Sequence, residues 1–129
     1  MSASGTMGAV AARPENVILY NGRVYQVEEP KLFTGVGTTV LMANTDATKR
    51  VLLVGLVAVI APTGVLTVVS DPAGTPVGVT GNFTGGAGGD SIACWYPHVF
   101  CLSAAGKSLG IVSLTAAGNG LATFALVNA

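Results

Sequence analysis

Residues 49 to 71, KRVLLVGLVAVIAPTGVLTVVSD, are the most apolar stretch of the chain, and any fold must dispose of them. Such a run either crosses a membrane or packs so deeply that charge can be left out. From Val51 to Ala61 it is unbroken, and Pro62-Thr63-Gly64 then interrupts it. A spanning helix needs roughly twenty apolar residues, so this run is too short. Its residue types are also wrong for a helix. Val51, Val54, Val57, Val59 and Ile60 are β-branched, and Gly55 sits among them. Two such runs joined by a Pro-Thr-Gly turn predict adjacent core strands, buried on both faces, in a soluble protein.

The rest of the chain is as poor in charge. Asp, Glu, Lys and Arg make up 9% of the 129 residues, against about 25% in ordinary globular domains. Hydrophobic residues are 50%, and there are 18 glycines besides. The length suits one domain that buries about two thirds of its unfolded surface. Six acids and six bases give an isolated monomer a thin polar skin. Part of the surface is therefore expected to be covered by other protein.

The charge pattern excludes several classes. No basic cluster exceeds Lys49-Arg50, so there is no stripe to neutralise phosphates, and a nucleic-acid partner is not expected. A basic amphipathic segment for a membrane surface is lacking too. The opening MSASGTMGAVAARPE has neither the basic start nor the apolar centre of a secretory signal. Synthesis in a cytoplasm, with thiols kept reduced, is the expectation.

Along the chain, residues 1–15 are small and unperiodic. They read either as a disordered tail or as an arm that orders on a neighbouring subunit. Residues 16–30 contain Asn21-Gly22 between Ile18-Leu19-Tyr20 and Arg23-Val24-Tyr25. Asn-Gly is a strong hairpin signal because a type I′ turn needs positive φ twice, so a small β-hairpin is expected, ended by Pro30. Residues 31–129 alternate strand and turn. The expected strands are 37–45, 50–61, 65–70, 75–80, 91–97, 98–103, 108–116 and 121–128, with a glycine loop at 84–90 and a turn at 117–120. About eight strands without an amphipathic helix predict an all-β antiparallel sandwich or jelly roll.

Catalytic chemistry finds little footing. The lone histidine, His98, has no carboxylate near it in sequence, and a cupin-type metal site needs two or three histidines with a carboxylate. No Gly-x-Ser-x-Gly elbow is present. The glycine run 85–89 is followed by neither Lys-Ser/Thr nor a helix, so it is no phosphate loop. Cys94 and Cys101 flank a turn containing Pro97. Buried free thiols are the simplest reading, a disulfide across the hairpin is geometrically open, and zinc on Cys94, His98 and Cys101 lacks a fourth ligand. Trp95, Tyr96 and Phe100 suit either a strand-corner core or a sugar-stacking surface. No catalytic residue, metal site or cofactor is expected, and the chain does not read as an enzyme.

The hydrophobic spacing of TTVLMANTDATKRVLLVGLVAVIAPTGVLTVVS, and the closing FCLSAAGKSLGIVSLTAAGNGLATFALV, resemble the trimeric jelly-roll decoration (cement) proteins of tailed-bacteriophage capsids. The resemblance spans residues 37–127 and rests on spacing and turns, with no catalytic signature. It implies a homotrimer that binds the outer head shell, with the major capsid protein as partner and no nucleic acid or membrane. It implies a place on the virion surface after assembly in a bacterial cytoplasm. Arg13, Tyr20, Asn21, Gly22, Arg23 and Tyr25 are then the candidate capsid contacts, and Trp95, Tyr96 and Phe100 the candidate trimer contacts. A tail or fibre module that binds a host receptor or saccharide is the alternative.

Overall fold

The computed structural model describes residues 17–129. The expected arm at 1–15, with Arg13, lies outside the described residues. Eleven strands follow one another: β1 (Val17–Tyr20), β2 (Arg23–Gln26), β3 (Lys31–Phe33), β4 (Gly37–Met42), β5 (Lys49–Ile60), β6 (Val65–Ser70), β7 (Val77–Gly78), β8 (Phe83–Thr84), β9 (Asp90–Trp95), β10 (Leu109–Leu114) and β11 (Gly118–Asn128). One sheet has the order β4-β10-β6-β7, with β8 also paired to β6, and the other has the order β3-β11-β5-β9. Every pairing is antiparallel. The fold is an all-β antiparallel sandwich, compatible with a jelly roll. Its strands outnumber the expected eight because the hairpin pair and the short β3 and β8 are added, while 98–103 drops out.

The sheets meet over one apolar core. Val51, Leu53, Leu56, Ala58 and Ile60 of β5 face Leu66 and Val68 of β6 and Leu109 and Ile111 of β10, with Phe33, Leu41 and Phe124 at the margins. β5 runs its whole length along β11. The register slips between Thr123 and Phe124, which pair with Gly55 and Leu53, so Val54 is the extra residue of a bulge. Beyond it the alternation is strict: Leu56, Ala58 and Ile60 point into the core, and Val57 and Val59 point out.

Four expectations need correction. β5 and β6 are not adjacent strands of one sheet. Pro62-Thr63-Gly64 carries the chain from one sheet to the other, so both runs bury their inward sides on the same core. The last turn lies at 115–117, where Thr115 adopts φ 72°, while Gly118-Asn119-Gly120 already belong to β11. Residues 98–103 form no strand. They follow the turn at 96–98 and join β5 by a bridge between Leu102 and Leu52, with Leu53 N–H donating to Cys101 C=O at 3.0 Å and Ser103 N–H donating to Val51 C=O at 2.9 Å. The segment 75–80 is a strand only at Val77 and Gly78, with the Val79 N–H donating to the Val68 carbonyl at 2.9 Å beyond it.

The hairpin has the expected geometry. Tyr20 pairs with Arg23, leaving Asn21-Gly22 as a two-residue loop at φ 51° and 78°. It does not stand apart from the sandwich. Ile18, Tyr20 and Tyr25 cover Leu52, Ala125 and Val127 on the outer face of the four-stranded sheet. This explains why β5 is buried on both faces in its first half, as expected, but not in its second.

Candidate functional site

The aromatic residues assigned from sequence to two different contacts come together in one cluster. Tyr20 lies 6.2 Å from Tyr25, 6.4 Å from Tyr96 and 6.0 Å from Phe100 between ring centroids, and Tyr96 lies 6.1 Å from Phe100. These are ordinary distances for offset and edge-to-face aromatic packing. The Tyr96 hydroxyl donates to the Leu19 carbonyl at 3.0 Å, tying the hairpin to the turn after β9. The Asn128 N–H donates to the Tyr25 hydroxyl at 3.3 Å. Tyr20, Tyr25 and Tyr96 thus fasten the hairpin, while Asn21, Gly22 and Arg23 remain exposed at its tip. Tyr96→Phe is expected to cost about 1 kcal/mol through that single hydrogen bond, measured by urea denaturation.

Trp95 stands apart from this cluster. It ends β9 opposite Gly55, and its indole occupies the space a side chain at position 55 would fill. Its seat is on the outer face of the four-stranded sheet, and the face beside it is open. Three cross-strand rows lie there. Leu32, Leu121, Val57 and Ala93 pair in succession across β3, β11, β5 and β9. Asn119, Val59 and Ser91 form the row on one side of it, and Thr123, Gly55 and Trp95 the row on the other. No residue in these rows carries a charge. Leu32 is 75% exposed, Val59 60%, Trp95 53%, Val57 44% and Leu121 39%. A shallow concavity of about 490 Å³ runs over Leu32, Val57, Val59 and Leu121.

An open face of this composition is costly in water. Covering a Val or Leu side chain is worth about 1.5–3 kcal/mol when complete, and these are partly covered at best. Single exposed apolar residues need no explanation, but exposed apolar residues in register across adjacent strands make this face the candidate interaction surface. The sequence reading missed Leu32, Val57, Val59 and Leu121. It took residues 50–61 as buried on both faces, and an uninterrupted apolar run gives no sign of which side chains lack a cover.

Chemistry-bearing groups are scattered by comparison. Among the described residues no group of three or more His, Cys, Asp or Glu side chains is placed to hold a metal ion. Cys94 and Cys101 are free thiols, the first half-buried and the second buried, both against the core. Burial pushes the Cys94 thiol above its ordinary pKa. Cys101 is pushed up by burial first and by the neighbouring Cys94 second. Both therefore favour the protonated form, the less nucleophilic one. His98 is exposed in the turn after β9. No described helix is long and apolar enough to cross a membrane.

No family model and no curated protein matches the chain. A chain in the structure titled "Structure of infectious bursal disease virus Gx strain" superposes with a TM-score of 0.38 at 14% identity, over 84% of this chain and 35% of that one. A likeness that slight has no bearing on function.

Proposed function

We propose that the protein is a virion structural component, a decoration protein that binds the outer head shell of a tailed bacteriophage as a homotrimer and stabilises it. The observation that carries this reading is the open, uncharged face of the four-stranded sheet. Leu32, Val57, Val59, Leu121 and Trp95 there have the composition of an interface core, which is depleted in charge and rich in aliphatic and aromatic side chains. Cyclic association of like subunits covers such a face without leaving an edge for further growth. The resemblance of residues 37–127 to decoration proteins in hydrophobic spacing supplies the viral setting.

In this reading Tyr96 and Phe100 hold the hairpin, and Trp95 belongs to the subunit contact. The hairpin tip, Asn21-Gly22-Arg23 with the exposed Leu19 and Val24 behind it, is left for the major capsid protein. The mechanism is mechanical. Each trimer binds several shell subunits at once, so its binding free energy opposes their separation under internal pressure. No step needs a cofactor or a reactive side chain.

A second reading has one observation in its favour. Trp95 is half exposed beside a concavity of about 570 Å³ formed with Val17, Ile18, Val54 and Thr123, as a sugar-stacking residue of a tail or fibre module would be. Quantitative mass spectrometry of purified particles decides between the two. A decoration protein is present in copy numbers comparable to the shell subunit. A handful of copies per particle, or none, overturns the decoration reading.

A further inference from the structure

The first residues of β5 carry a feature that the sheet face does not explain. The Nε of Arg50 is buried and has no hydrogen-bond partner in the structure. A buried donor left unpaired is destabilising, and more so on a charged group, so an arginine with its Nε in this state calls for a reason. Arg50 lines a cavity of about 340 Å³ at the sandwich edge, between β5, the end of β6, β7 and the segment 102–107. That volume is within the range of small-molecule sites.

The lining has two parts. Val77, Val79 and Leu102 make one wall apolar. The other wall gathers donors: Arg50, Lys107 and the hydroxyls of Ser70 and Ser103. Ser103 Oγ accepts the Val51 N–H at 2.9 Å, and Ser70 Oγ accepts the Ala104 N–H at 2.9 Å. Each hydroxyl is spent as an acceptor there and retains its own O–H to donate. The lining has a single carboxylate, Asp71, which is already engaged. Its Oδ2 accepts the Thr75 N–H at 3.0 Å and lies 3.9 Å from Lys107 Nζ. Two cations against one anion leave the lining with a net charge of +1.

We propose that this cavity is a binding site for a carboxylate with a short apolar body. The carboxylate sits against the Arg50 guanidinium, supplying the acceptor that Nε lacks, with Lys107 as the second cation. The alkyl part lies on Val77, Val79 and Leu102. Arginine suits this role because its planar fork matches a carboxylate and cannot be neutralised by deprotonation. The site is separate from the open sheet face and does not depend on self-association.

The test uses the uniformly labelled full chain titrated with hexanoate, with hexan-1-ol and with inorganic phosphate. Binding is followed by NMR on the backbone amides of Val77, Leu102 and Ala104, and in the parent chain also on the Arg50 Nε–Hε signal. Hexanoate is expected to give saturable shifts, with hexanol and phosphate each about tenfold weaker or worse, the value of one charge-assisted hydrogen bond. Arg50→Met should weaken hexanoate binding by about tenfold while leaving the melting temperature equal or higher, because it removes an unpaired buried donor. Should Arg50→Met fail to fold, Lys107→Gln, on an exposed side chain, should still weaken binding several-fold. No saturable shift, or equal binding of hexanol or phosphate, overturns the proposal. So does hexanoate binding that neither variant weakens.

Discussion

Leu56→Ala is expected to lower the unfolding free energy by about 3–5 kcal/mol, read as a fall in the urea midpoint at an unchanged slope. Leu56 is fully buried, and its partners across the strands are Ala122 on β11 and Cys94 on β9. It stands in the middle of the longest strand, where the two sheets close on each other, and the surrounding ladders leave the cavity little room to collapse. A domain of this size has about 5–15 kcal/mol to lose, so the variant should forfeit a large share of its stability. The matched control is Val59→Ala on the same strand, which removes an exposed side chain and should cost under about 1 kcal/mol in the monomer. Equal losses at the two positions would contradict the assignment of inward and outward faces.

Gly120→Ala should be nearly as damaging, by about 3 kcal/mol, at the upper end of what overpacking usually costs. Gly120 pairs with Ala58, and a Cβ there would collide with the Val57 carbonyl, with Ala58 Cα at 2.8 Å and with Phe33 Cζ at 2.9 Å. Two of these three are backbone atoms of the neighbouring strand, which cannot swing aside as a side chain can. The substitution must therefore part β5 from β11 near one end of their ladder or push Phe33 out of the core. Gly81→Ala is the comparison, because an added Cβ there meets nothing within 4 Å, and its effect should stay within about 0.5 kcal/mol. If both glycines tolerate alanine, the close approach of β11 to β5 is wrong.

The all-β class and its longest strands were legible because β-branched runs bounded by turn residues leave few alternatives. β6 falls where its apolar run predicts, and the Asn21-Gly22 turn follows from local chemistry alone. What was not legible depends on contacts far apart in sequence. Pro62-Thr63-Gly64 reads equally well as a hairpin turn or as a crossing between sheets, and only the shared core decides. Gly118 and Gly120 look like turn residues in sequence. They sit in a strand, and are glycine because Ser113 and Leu66 crowd one position and the β5 backbone the other. The same limit applies to the candidate surface. Val57 and Val59 are exposed because the hairpin stops short of them, while Leu52, on the same outer face, is covered by Tyr20 and Tyr25. Nothing in the run LVGLVAVI marks that boundary.

In the proposed assembly the open face of the four-stranded sheet joins copies of this chain. Its most direct test is the absolute mass in solution, by size-exclusion chromatography with light scattering, of the parent chain beside the double variant Val57→Lys/Leu121→Lys. One chain has a mass of 12.8 kDa. The parent is expected at three times that mass. The variant is expected as a single chain with the melting profile of a folded monomer, because two unpaired ammonium groups cannot be buried in an apolar contact. A parent that stays at the mass of one chain, or a variant that remains trimeric, would contradict the account.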